Sequence, residues 1–160
     1  MNEMIVIGKT VSTHGIKGEL KVVSNFEYKE KAYIIDNKIL INNIEHTISS
    51  VRYHKQYILL GIDDLTNIND VLEFVGYNIY IARSDLKLDE NEYLLKDLVG
   101  LDVIDDSKSI GKVSEIVMGN SSNYIRINDE FLVPIIPEYI VKIDINNKQI
   151  ITKNADSLHF

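Results

Sequence analysis

Short runs of alternating apolar and polar residues dominate the chain. Residues 4–9 and 19–24 alternate as half-buried strands do, and a glycine-rich bend at 15–18 joins them. Residues 38–41 and 44–48 flank Asn42-Asn43, a pair that tolerates the left-handed backbone of a two-residue hairpin turn. Residues 50–55 and 57–62 continue the meander around Gln56. One segment breaks the period of two. Ile68, Val71, Leu72 and Val75 fall at i, i+3, i+4 and i+7, the spacing of one helical face. Thr66 or Asn67 offers a cap for its start and Gly76 a stop, so a short helix is expected there. A further helical turn is expected within 26–33, and a strand at 78–81.

A charged stretch, 83–92, then interrupts the pattern. It places a first domain at 1–84, a linker at 85–92 and a second domain at 93–160. Beyond it, residues 97–104 read as a strand, Asp105-Asp106 as part of a solvated turn and 111–117 as a second strand. Two hairpins follow, one around 128–130 and one around 146–148. Pro134 and Pro137 lack the N–H that a central strand needs, so the segment they interrupt cannot be a central strand throughout. The expectation is an all-β chain of two small β-barrels with a short helix in the first. Composition strengthens it: the chain has only three alanines, Ala32, Ala82 and Ala155, and is rich in β-branched isoleucine.

Charge divides the chain. Residues 1–84 carry nine Lys/Arg and ten Asp/Glu, whereas residues 85–160 carry eight and fourteen. The acidic second half offers no basic face for nucleic acid; it favours solubility and basic partners such as ribosomal or histone-like proteins. The chain has no cysteine, hence no disulfide framework or thiolate chemistry. Its first residues lack the pattern of a secretory signal, and no apolar run approaches the roughly 20 residues of a membrane span. A cytoplasmic location is expected. His14, His46, His54 and His159 are scattered without ligand spacing, so no metal and no cofactor is expected. The stretch 8–22 concentrates Gly8, Gly15 and Gly18 with Lys9, Lys17 and Lys21. Its Gly-x-x-Gly spacing occurs in loops that clamp nucleic-acid backbones, but those loops lie between helices and this one lies between strands. A barrel corner is the structural alternative.

The same stretch, from Gly8 through His14 and Lys17 to Val22, resembles the amino-terminal signature of the RimM family of ribosome maturation factors. The segments beginning at Gly76 and at Glu92-Tyr93-Leu94-Leu95, which runs through Gly100, are similar to that family too. So are Ile110-Gly111-Lys112-Val113 and Leu132-Val133-Pro134-Ile135-Ile136-Pro137. The resemblance implies a translation-factor-like barrel followed by a PRC barrel. It implies a non-enzymatic assembly factor that binds the immature small ribosomal subunit and a basic head protein, the nineteenth of that subunit. It further implies help in maturation of the head and processing of 16S rRNA. Partner contacts are then expected at Tyr93 and Leu94, where the family commonly has paired aromatics, and at His14 and Lys17 on the first barrel's rim, with possible rRNA contact. The contrasting class is a flavin- or nucleotide-binding barrel enzyme, because small barrels of the first type also serve such enzymes.

Overall fold

The computed structural model describes residues 3–159, and its two compact units meet between Asp89 and Glu90. The first unit holds β1 (Met4–His14), β2 (Glu19–Val23), β3 (Lys38–Ile41), β4 (Ile44–His54), β5 (Tyr57–Ile62) and β6 (Asn78–Ala82). They form a closed antiparallel barrel in the order β1-β2-β5-β4-β3-β6. Closure comes from β6 returning to β1, with Ile5 opposite Ile81 and Lys9 opposite Asn78. Strand alternation fills the interior: Leu20 and Val22 of β2, Ile39 and Ile41 of β3, and Ile79 and Ile81 of β6 are all buried. The strand expected at 4–9 runs on to His14, so only residues 15–18 form the bend. Asn42 and Asn43 make the expected left-handed turn, with φ of 54° and 62°.

The helical segments are shorter than the spacing suggests. One turn, α1 (Lys29–Ala32), lies in the region expected to turn. The helix after Asn67 is a single α turn, α2 (Ile68–Val71), which tightens into a 3₁₀ turn over Leu72–Phe74. Asn67 caps it, its side-chain oxygen accepting from the Asn69 N–H at 2.9 Å. Three residues per turn bring Val71 and Phe74 into line, and these two are buried. Leu72, assigned to the buried face by α-helical spacing, is instead 52% exposed.

A buried polar tie crosses the first barrel. Tyr33, just past α1, donates its hydroxyl to the Ile7 carbonyl at 2.7 Å. Burial pushes the Tyr33 phenol well above its ordinary range. Gly8 leaves room for that ring, because a Cβ there would collide with the Tyr33 hydroxyl.

The second unit contains β7 (Asp102–Asp105), β8 (Lys108–Met118), β9 (Asn123–Ile127), β10 (Phe131–Pro134), β11 (Ile140–Asp144) and β12 (Gln149–Thr152). Their order is β10-β9-β8-β7-β12-β11, with β7 and β12 parallel. Long β8 pairs with β7 through its first half and with β9 through its second, so it bends the sheet around one core. Leu98, Val103, Val113, Ile125, Val133 and Ile150 lie in that core. Pro134 ends β10 at the sheet edge, where a missing N–H is tolerated. The strand expected from residue 97 begins only at Asp102. Residues Leu95–Leu98 form a 3₁₀ turn instead, started by Asp97, whose carboxylate accepts from the Leu94 N–H at 2.8 Å.

Asp105 also departs from the sequence reading. It is buried rather than part of a solvated turn. Its carboxylate accepts from the Thr152 hydroxyl at 2.8 Å and from the Ala155 and Asp156 N–H groups at 3.0 and 3.3 Å. The 3₁₀ turn Ala155–Leu158 is thereby fastened to β7.

Candidate functional site

The bend at 15–18 is a fixed feature. Gly15 and Gly18 adopt φ of 68° and 85°, which glycine reaches without strain. Gly18 also packs against backbone, so a Cβ would lie 3.0 Å from the Asn67 nitrogen and the Leu65 oxygen. The Ile16 carbonyl accepts from the Ile68 N–H at 3.3 Å, tying the bend to the start of α2. These ties hold Ile16, 81% exposed, and Lys17 outward.

Around this bend β1, β2 and β4 assemble a cationic rim. His14 at the end of β1 is half-buried, with its ring 5.4 Å from that of His54 at the end of β4. Arg52 grips Glu19 through two parallel bonds of 2.8 Å. That grip holds the Glu19 carboxyl below its usual range, against the opposing effect of burial; the charges of Arg52, His14 and Lys17 act in the same direction as the grip. The Lys21 ammonium sits 4.6 Å above the Tyr57 ring. The one carboxylate in the set is already engaged, which leaves a surface suited to anions and to stacking. Sequence reasoning found His14 and Lys17. It missed Arg52 and His54 because they lie on another strand; only the β2–β5–β4 register joins them to the rim.

His46 is buried, unlike the other histidines. Its Nδ1 lies 2.6 Å from the Asp63 carboxylate, its ring meets Phe74 edge-on at 4.4 Å, and its Nε2 has no hydrogen-bond partner. Burial alone would raise the Asp63 pKa; bonds from His46 and the Thr47 N–H, with the charges of His46 and Lys38, bring it below its ordinary value. His46 is therefore a core residue of the first barrel. Among the described residues, no three His, Asp or Glu side chains are grouped to hold a metal.

Tyr93 and Leu94 occupy the start of the second unit. Tyr93 is half-buried against its core. Leu94 is 1% exposed, so a partner could reach Tyr93 and not Leu94 as the loop stands. The acidic surplus of this unit lies outside its ion pairs. Lys112 meets Asp102 at 3.0 Å and Arg126 meets Glu115 at 2.9 Å, while Asp106, Asp129, Glu138 and Asp156 stand exposed.

Together these features define a tandem of small β-domains, a closed barrel with a cationic rim followed by an acidic, strongly bent sheet. The family model described as the RimM N-terminal domain matches residues 5–86, and that of the RimM PRC barrel domain matches residues 95–158. Relatives named ribosome maturation factor RimM, from two strains of Staphylococcus aureus, are 34% and 33% identical over 163 aligned positions. Each alignment covers 96% of this chain and 98% of the relative. The chain belongs to the RimM family. Two solved structures are similar at greater distance. A RimM from Pseudomonas aeruginosa is 22% identical, with TM-score 0.48 and coverage of 97% of this chain and 99% of that one. The N-terminal domain of RimM from Thermus thermophilus is 14% identical, with TM-score 0.46 and coverage of 52% and 94%. Family membership rests on the sequence matches, not on these loose superpositions.

Proposed function

We propose that this chain is a non-enzymatic assembly factor of the small ribosomal subunit, acting in the cytoplasm. It binds the immature subunit and a basic protein of its head, the nineteenth of that subunit, and assists head maturation and 16S rRNA processing. The observation that carries this reading is the pair of RimM domain matches, in order, over nearly the whole chain. The surfaces support it. The exposed carboxylates of the second unit suit a basic protein, and the rim of His14, Lys17 and Lys21 suits a phosphate backbone. The work required is differential affinity. A factor that binds the immature arrangement more tightly than the mature one shifts the population toward productive intermediates and leaves when mature contacts form.

Tyr93 is the proposed anchor for the head protein. Tyr93→Ala should weaken that association by about 1–3 kcal/mol, as removal of a central aromatic anchor does. Titration calorimetry at low salt with the purified head protein measures it. Unchanged affinity in a folded variant removes Tyr93 from the contact, and no binding by the parent chain defeats the proposed partner.

A further inference from the structure

A second surface of the first barrel, away from the rim residues, carries chemistry of its own. An open cleft of about 370 Å³ lies where β1, β6 and the β3–β4 turn meet. Tyr77 and Tyr80 offer two phenol rings, Asn42, Asn43 and Asn78 three side-chain amides, and Lys9 the lone charge. No carboxylate lines it. Among the described residues, none of the three amides, neither phenol hydroxyl and not the Lys9 ammonium has a hydrogen bond or ion pair within the protein.

The cleft is built on rigid parts. Asn42 and Asn43 sit in the left-handed two-residue turn, Lys9 and Asn78 face each other across the β1–β6 ladder, and Tyr80 follows Asn78 on the same face of β6. The turn that presents Tyr77 is held by Thr10, which is fully buried. The Thr10 hydroxyl donates to the Phe74 carbonyl at 2.6 Å and accepts from the Tyr77 N–H at 3.1 Å. The Thr10 backbone bonds Gly76 and Tyr77, each at 2.9 Å. Gly76 makes the turn possible with φ of 94°. Exposed aromatic and amide groups on so fixed a frame lose little freedom when a ligand arrives.

We propose that this cleft binds an unpaired nucleotide of single-stranded RNA. Phenol rings stack on a base of any identity. Amides pair with base edges and with the ribose 2′-hydroxyl, and one lysine meets one phosphate. An apolar peptide would find mostly polar walls, and a cationic ligand would find Lys9. The inference rests on the ribosomal reading above, in which unpaired rRNA is at hand.

The test is fluorescence anisotropy of the full chain with a labelled single-stranded RNA of about ten mixed-sequence nucleotides, within the usual footprint of such sites. Tyr77→Ala should weaken binding about tenfold, whereas Tyr77→Phe, which keeps the ring, stays within about twofold. Lys9→Gln should reduce the slope of log affinity against log salt by about 0.7, the release from one phosphate. Parent-like binding by both Tyr77→Ala and Lys9→Gln overturns the proposal, as does a parent that does not bind the RNA. Displacement of the RNA by equimolar mononucleotide would assign the cleft to free nucleotides and overturn the strand assignment. Cosedimentation with immature subunits separates the two readings. If Tyr77→Ala cosediments as the parent does and also keeps parent-like RNA affinity, the cleft fails and the assembly role stands. If the parent does not cosediment, the assembly role fails while the RNA titration still reports on the cleft.

Discussion

The two units close their folds by different means. In the first, β6 pairs with β1 and the backbone ladder completes a ring. In the second, β10 and β11 end the sheet without pairing to each other, and a buried side chain does part of the fastening: Asp105 binds the segment that follows β12. A closed ladder distributes its stability over many backbone bonds. A bent open sheet concentrates more of it in single residues. The surfaces differ in parallel: the ring presents Lys17 and Lys21 beside His14 at one rim, whereas the open sheet stands in a surplus of exposed acids.

The largest effect should follow from the concentrated tie. Asp105→Ala leaves the Ala155 N–H without its acceptor and the buried Thr152 hydroxyl with only the longer bond to the Ile104 carbonyl, and should cost about 2–3 kcal/mol. Hydrogen exchange should speed up in β7, β12 and the final 3₁₀ turn while the first barrel stays protected; equal acceleration in both units would break the contrast. Asp105→Asn, which keeps one acceptor, should lose less.

In the closed ring a single deletion should matter less. Tyr33→Phe removes the hydroxyl that bonds the Ile7 carbonyl, yet β1 retains its ladders to β2 and β6, so about 1 kcal/mol is expected in urea unfolding. A loss as large as that of Asp105→Ala would show that the ring too hangs on one tie.

The smallest effect sharpens the comparison through pH. The folded Asp63 carboxyl titrates below its unfolded value, so its contribution is fully present above the ordinary carboxylate range of about 4 and is lost as pH falls through the folded pKa. Asp63 is partly exposed, so the effect is modest. Urea midpoints followed at and below about pH 4 should fall less steeply for Asp63→Asn than for the parent. Identical slopes would remove Asp63 from the acid response.

The sequence made much of this legible where one local rule decides. Period-two alternation located most strands, paired asparagines located the β3–β4 turn, and the prolines ruled out a central strand where β10 ends. It misled where two rules compete. Leu72 fits an α-helical face, but the tightening to three residues per turn buries Phe74 instead. Asp105 sits beside Asp106 in a turn-like dipeptide, and only its partners from residue 152 onward reveal a buried acceptor. The rim was half legible for the same reason. His14 and Lys17 stand in one conspicuous stretch, while Arg52 and His54 join them only through strand pairing. The cleft around Tyr77 was not legible, since Lys9, Asn42-Asn43 and the segment from Gly76 come from three separated stretches that only the closed barrel brings together.

In the proposed role the chain recognises an immature small subunit through surfaces on both units. Cosedimentation of the purified chain with immature and with mature small subunits, at low and at moderate salt, tests it most directly. The expected result is retention on immature subunits, much weaker retention on mature ones, and a loss of binding as salt rises. Equal retention on both subunits, or none on either, would contradict it.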